Sequence, residues 1–251
     1  MTRSVNVHLL PALVEPAALQ GRGVVVIDVL RATTTIVQAL ASGAAAIVPC
    51  LEIEDARKVA AQLGPSTLLG GERGGRAIAG FDLGNSPAEY EPRVVSGKTI
   101  VLTTTNGTKA MLRCREARRV FIGAFVNFSA VCDALRGERE IDLLCAGTDN
   151  QVTREDVLFA GAVVDDLVEC AKTVADESLE LNDQALIALD AWRSAREELR
   201  QSAELVERLR SSRGGRNLIE IGHEHDIDIA AAIDRFDLVP ELDLASWRIT
   251  A

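Results

Sequence analysis

The 251-residue sequence has no apolar run approaching bilayer-spanning length, and Met1-Thr2-Arg3-Ser4-Val5-Asn6-Val7-His8 lacks the apolar core of a secretion signal. A membrane role is therefore not expected, and the cytoplasm is the simplest address. The five cysteines, Cys50, Cys114, Cys132, Cys145 and Cys170, are odd in number and scattered and form no CxxC pair, which argues against a disulfide framework or a zinc knuckle. No basic block interrupts a formal net charge of −10, so nucleic acid and anionic membrane are not expected partners. No cysteine is followed by arginine at the spacing of a Cys-x5-Arg phosphate loop, and no apolar strand leads into an Asp-x-Asp-x-Thr nucleophile motif. There is no long-period repeat.

The chain is long enough to bury a full core, and its 47% apolar and 25% charged residues are ordinary for a globular protein. Short β-branched or apolar runs predict strands over residues 5–9, 24–29, 45–49, 67–70, 99–103, 119–123 and 141–145. Helical patterns begin near Thr33, Glu54, Gly107, Ser129 and Arg154. Val24-Val25-Val26-Ile27 and Ile100-Val101-Leu102 are continuously apolar, as in strands covered on both faces. The expectation is one α/β domain over residues 1–251: a three-layer α/β/α arrangement around a mostly parallel or mixed sheet, with a helical C-terminal portion at roughly 177–235. Charge-laced residues 182–213 read as a helical hairpin serving as a cap or a subunit contact, which leaves room for a homo-oligomer.

Three strand ends run into hydroxyl- and glycine-rich turns. Asp28 leads to Arg31-Ala32-Thr33-Thr34-Thr35, Thr103-Thr104-Thr105 leads to Asn106-Gly107-Thr108, and Cys145 leads through Gly147-Thr148 towards Glu155-Asp156. Unpaired N–H groups at a helix start attract anions, threonine hydroxyls add donors, and glycine lets the backbone come close. One such turn is equally well a helix cap; three in one chain favour anion binding. Asp28 and Arg31 could face one pocket, the guanidinium gripping a phosphate. A fourth segment, residues 70–75 with residues 80–87, reads as a loop of special shape carrying Glu72 and Arg73, with Asn85 or Ser86 capping the helix that Pro87 opens.

Asp28, Glu72, Asp82, Glu155 and Asp156 are oxygen donors of the kind Mg²⁺ prefers, and the residues alone do not say which would touch it. Glu155 and Asp156 also suffice as helix N-terminal acids after Thr153. His223-Glu224-His225-Asp226 invites a metal reading, but neighbours on a helix diverge, and a solvated turn is the expectation there. Cys145, with no histidine nearby in sequence, is expected to be a packed thiol rather than a nucleophile.

On these motifs the sequence resembles the 2-phosphosulfolactate phosphatase (ComB) family. The likeness is strong from about residue 3 to residue 170, then thins to Ser212, Gly215, Leu218, Gly222, Asp228 and Pro240. The resemblance implies a three-layer α/β/α fold and Mg²⁺-dependent hydrolysis of 2-phospho-3-sulfolactate to 3-sulfolactate and phosphate, a step of coenzyme M biosynthesis. A substrate bearing phosphate, carboxylate and sulfonate suits several anion-binding turns. Carried onto this chain, the expected catalytic set is Asp28, Arg31, Glu72 and Arg73. The expected substrate-binding set is Thr33, Thr34, Asn85, Thr104, Thr105, Asn106, Gly107, Thr108, Gly147 and Thr148. Asp28, Glu72, Glu155 and Asp156 are the metal candidates. Attack by water and passage through an aspartyl-phosphate on Asp28 both stay open. Two rivals are a phosphatase of another small phosphorylated hydroxy acid and a non-catalytic anion-binding module.

Overall fold

The computed structural model describes residues 2–173, 178–199 and 204–251. In chain order the elements are β1 (Thr2–His8), β2 (Gly23–Ile27), α1 (Ala32–Ala41), β3 (Ala46–Pro49), α2 (Ile53–Leu63), β4 (Thr67–Arg73), β5 (Arg76–Ala77), α3 (Pro92–Val95), β6 (Thr99–Thr103), α4 (Gly107–Arg113), β7 (Arg119–Gly123), α5 (Phe128–Leu135), β8 (Glu140–Cys145), α6 (Arg154–Ala171), β9 (Ser178–Leu181), α7 (Asp183–Leu199), α8 (Glu204–Ser211), α9 (Arg213–Glu220), α10 (His225–Ala230), β10 (Glu241–Asp243) and β11 (Arg248–Thr250). Short 3₁₀ turns stand at Pro11–Leu13, Pro16–Leu19, Pro87–Glu89 and Phe125–Asn127.

The strands form a sheet in the order β5-β4-β6-β3-β11-β10-β7-β2-β8-β1-β9. It is mixed. One parallel block, β4-β6-β3, and another, β7-β2-β8-β1-β9, are joined by the antiparallel hairpin β10–β11. Three antiparallel steps separate β3 from β7, so the two blocks run in opposite senses along the ladder. The turns that follow β2, β4, β6 and β8 nonetheless line one cleft.

The continuous apolar runs are explained by helices on both faces. Val25 and Ile27 of β2 point into a core shared with Val131 and Leu135 of α5, Phe159 and Val163 of α6 and Trp192 of α7. Val24 and Val26 point the other way, into a core with Ile36, Val37 and Leu40 of α1 and Met111 of α4. All four β2 side chains are fully buried, and each such burial contributes roughly 1.5–3 kcal/mol. In β6, Ile100 and Leu102 join the second core, while Val101 packs with Ala56 of α2. These are the three layers α/β/α expected from the sequence, with α7 to α10 as the C-terminal helices.

Four strands depart from the expectation. β5, β10 and β11 have only two or three residues each, too few for alternation to show. β9 is a half-exposed edge strand of four residues, placed where the helical C-terminal portion was expected to begin. The glycine segment at 70–75 is a hairpin rather than an irregular loop. β4 runs through to Arg73, and Gly74 (φ +58°) and Gly75 (φ +77°) make a two-residue turn in which both central residues need positive φ before β5. Among the described residues no helix is long and apolar enough to cross a membrane.

Candidate active site

The turn after β2 begins with Asp28. Its Oδ1 accepts the Ala32 N–H at 3.2 Å, and Thr33 Oγ1 accepts the Asp28 N–H at 3.1 Å, so carboxylate and hydroxyl close the start of α1 reciprocally. Thr34 Oγ1 donates to Val29 O and Thr35 Oγ1 to Asn85 O. The hydroxyls of Thr33 and Thr34, expected to meet a substrate, therefore serve the turn itself, and neither residue lines the cleft. The Leu30–Arg31 peptide is cis. Arg31 is buried and does line the cleft; its Nη1 donates to Asp226 Oδ2 at 2.8 Å and its Nη2 to Gly75 O at 2.7 Å.

The turn after β6 is built the same way. Thr108 N–H donates to Thr104 Oγ1 at 3.1 Å and Thr104 N–H to Thr108 Oγ1 at 3.3 Å, tying the first turn of α4. Gly107 opens that helix against the β2 turn. A Cβ there would lie 2.7 Å from Ala32 Cβ and 2.9 Å from Asp28 Oδ2, so only glycine lets the two helix starts come together. Glu72 ties the end of β4 to the turn after β6: its Oε1 accepts Thr105 N–H and its Oε2 accepts Gly75 N–H, both at 2.7 Å. Arg73 turns away from the cleft, donating to the carbonyls of Glu72 and Leu51.

The turn after β8 is held by Asp156. Its Oδ1 accepts Val29 N–H at 2.9 Å, and its Oδ2 accepts Gly147 N–H at 2.9 Å and the Thr153 hydroxyl at 3.3 Å. One buried carboxylate thus binds the ends of β2 and β8 together. Glu155 packs against the start of α9, where a Cβ on Gly214 would lie 2.2 Å from its Oε1, and its Oε2 is buried without a partner.

These turns enclose a cleft of about 330 Å³. Of the residues expected there, Asp28, Arg31, Glu72, Asn85, Thr104, Thr105, Asn106 and Thr148 line it; Gly107, Thr108, Gly147, Glu155 and Asp156 stand behind that lining as its support. Asn85 Oδ1 and Thr105 Oγ1 are buried and lack any partner, although both residues line the cleft. Unsatisfied buried polar atoms are uncommon in proteins, and a pair bordering one cavity is what a ligand-binding site leaves when its ligand is considered apart.

Asp28 is pushed up to about 7, first by burial and then by the nearby charges of Glu72 and Glu155, against the lowering effects of the Ala32 N–H and of Arg31. Burial also raises Glu155, and raises Asp156 well above the carboxylate range. Among the described residues, Asp28, Glu72, Asp149 and Glu220 line the cleft against a single arginine, Arg31, with Asp149 also paired to Arg213 at 3.1 Å. Among the described residues no three His, Cys, Asp or Glu side chains stand close enough together to hold a metal ion by themselves. A Mg²⁺ ion needs less, since it commonly uses one or two carboxylates and completes its shell with water and substrate phosphate. Of the four metal candidates only Asp28 both lines the cleft and keeps an oxygen, Oδ2, outside a hydrogen bond to the backbone; Glu155 Oε2 has no partner but lies behind the lining, and both oxygens of Glu72 and of Asp156 already accept backbone N–H groups.

Two features escaped the sequence reading. His223-Glu224-His225-Asp226 is a solvated turn only in part: His223 and Glu224 precede α10 and Glu224 and His225 are exposed, but Asp226 is fully buried, accepting from Arg31 and from Ser86 Oγ at 2.6 Å. Ser86 accordingly does not cap the turn at Pro87–Glu89. The cleft wall contributed by Asn217, Leu218, Glu220 and Ile221 at the end of α9 was also unforeseen. Nothing in the local sequence marks either feature, because the polar partners lie far away in the chain. Cys145 is fully buried with its thiol raised far above the usual range by burial, in keeping with a packing role.

A family model described as 2-phosphosulpholactate phosphatase matches residues 8–244. A protein of Carboxydothermus hydrogenoformans described as a probable 2-phosphosulfolactate phosphatase is 40% identical over 231 residues, covering 92% of this chain and 90% of its own length. Proteins with the same description from Thermotoga petrophila (40% identity; 88% of this chain and 89% of the relative) and Prochlorococcus marinus strain MIT 9313 (39%; 90% of each) align over nearly the same span. The β2, β4, β6 and β8 turns that build the cleft all lie within the matched residues, and the chain belongs to the 2-phosphosulfolactate phosphatase family.

Proposed function

We propose that this protein is a Mg²⁺-dependent phosphoric monoester hydrolase that converts 2-phospho-3-sulfolactate to 3-sulfolactate and phosphate, acting in the cytoplasm in coenzyme M-type biosynthesis. Its relatives' descriptions and its family support phosphatase chemistry in general. The observation that carries the reading is the cleft itself: one buried arginine, unpartnered acceptor and hydroxyl groups, and an excess of carboxylates. Carboxylates alone would repel a polyanionic ester, so a cation is called for between them.

Asp28, which lines the cleft, is the residue that would hold Mg²⁺, through Oδ2, with water and the substrate phosphate completing the shell. When bound, the ion supplies positive charge to the phosphoryl oxygens and offsets the crowding that lifts Asp28. Arg31 contributes the fixed positive charge for the transferring phosphoryl group, whose oxygens carry the developing charge. Asn85, Thr105 and Asn106 offer an amide, a hydroxyl and a second amide to the carboxylate and sulfonate end. Glu72 and Asp156 keep the Thr105, Gly75, Val29 and Gly147 backbones in place around that substrate.

The test is phosphate release from phosphosulfolactate, phospholactate and phosphoglycolate, each with Mg²⁺ and with chelator. Release that is fastest from phosphosulfolactate and lost with chelator is expected. Faster release from a substrate lacking the sulfonate would reassign the substrate, and no release from any of them would overturn the enzyme reading.

A further inference from the structure

We infer that Asp226 is a positioning residue for catalysis, holding the Arg31 guanidinium in the orientation that receives the phosphoryl group. The inference rests on the phosphatase reading above and extends it to a residue outside the strand-end turns. Arg31 and Asp226 are both buried and lie 195 positions apart in sequence. Asp226 Oδ2 takes Arg31 Nη1 at 2.8 Å, while Gly75 O takes Nη2 at 2.7 Å. Two acceptors on the two terminal nitrogens of a planar fork fix its plane and its rotation. The remaining N–H groups are left for the cleft that Arg31 lines.

The carboxylate is itself held. Ser86 Oγ donates to Asp226 Oδ1 at 2.6 Å, and His225 Nε2 and His223 Nδ1 stand 3.2 Å and 3.6 Å from its two oxygens. Asp226 thereby joins α10, the loop after β5 and the β2 turn at one point. A buried ion pair is a poor source of net stability, since desolvation offsets most of the attraction. Fixing the direction of a charged side chain beside a reacting phosphate is a use that does not depend on net stability, because a displacement near 1 Å costs about 10²-fold in rate.

The experiment is a double-mutant cycle on Asp226→Asn and Arg31→Lys, read as kcat/KM for phosphosulfolactate with Mg²⁺ and as binding of inorganic phosphate with Mg²⁺ by calorimetry. Asp226→Asn is expected to lower kcat/KM by about 10- to 100-fold and to weaken phosphate binding, while in the Arg31→Lys background it should change either quantity by less than about 3-fold. Equal losses in both backgrounds would overturn the inference, because a merely structural residue acts independently of Arg31. Should Asp226→Asn not melt cooperatively, Ser86→Ala, which removes one donor from Asp226 Oδ1 and leaves Oδ2 on Arg31, carries the same cycle with a smaller loss in the same direction. If no ester is hydrolysed, the phosphate-binding arm still decides the role of Asp226, and the substrate reading fails separately.

Discussion

Asp28 Oδ2 lies 2.9 Å from the point where a side chain on Gly107 would begin. The carboxylate of one strand-end turn thus packs on the bare backbone of another, and the starts of α1 and α4 share a boundary that one methyl group would break. Gly107→Ala forces either Ala32 or Asp28 aside. Overpacking of this kind costs roughly 1–3 kcal/mol, so the melting temperature should drop by several degrees and phosphate release by at least about tenfold, since a small misplacement at the site is enough. Turnover close to that of the parent protein would show that the two helix starts do not form one site.

Asp156 and Asp28 should respond oppositely to loss of charge. Asp156 has three donors pointed at it, two of them backbone N–H groups at the ends of β2 and β8. An alanine leaves buried donors unsatisfied, at about 1–3 kcal/mol for each group. Chemical denaturation is expected to show Asp156→Ala strongly destabilised. Asp28→Asn keeps the acceptor for Ala32 N–H and removes a crowded charge, so in chelator at pH 8 it should be more stable than the parent while turnover is lost. A destabilised Asp28→Asn under those conditions would mean that its charge is balanced within the protein.

The pH dependence follows from the same crowding. Asp28 titrates at about 7 in the folded chain against 3.8 for an ordinary aspartate, because burial and then Glu72 and Glu155 raise it. Between those values the folded chain holds a proton that the unfolded chain has released, so stability from this group is full below about 4, falls as pH rises, and levels off above 7. The total change is on the order of a few kcal/mol. Burial raises Glu155 and Asp156 in the same direction. In chelator, the melting temperature of Asp28→Asn minus that of the parent should grow between pH 5 and pH 8; a difference independent of pH would contradict the raised carboxyl.

Much of this was legible in the sequence, for a local reason. The β2, β6, β7 and β8 strands are buried on both faces, and their apolar runs announce them. The turns after β2, β6 and β8 stand next to those runs, so Asp28, Arg31, Thr104, Thr105, Asn106 and Thr148 could be placed together without coordinates. The illegible part depends on long-range partners. Whether Thr33 faces a ligand or its own Asp28 N–H cannot be distinguished by residue type. Asp226 sits in a string of charged residues and is buried only because Arg31 and Ser86 come to meet it. The β10–β11 hairpin that joins the two parallel blocks is three residues a side, and its anchors, such as Trp247 Nε1 to Pro49 O at 2.9 Å, span nearly two hundred positions.

The central claim is that Asp28 lies at the chemical centre of a phosphatase cleft, and the most direct measurement is phosphate release from 2-phospho-3-sulfolactate by Asp28→Ala with Mg²⁺, alongside its thermal melt. The account predicts a variant that melts cooperatively and shows no Mg²⁺-dependent release. A folded variant with near-normal turnover would contradict it.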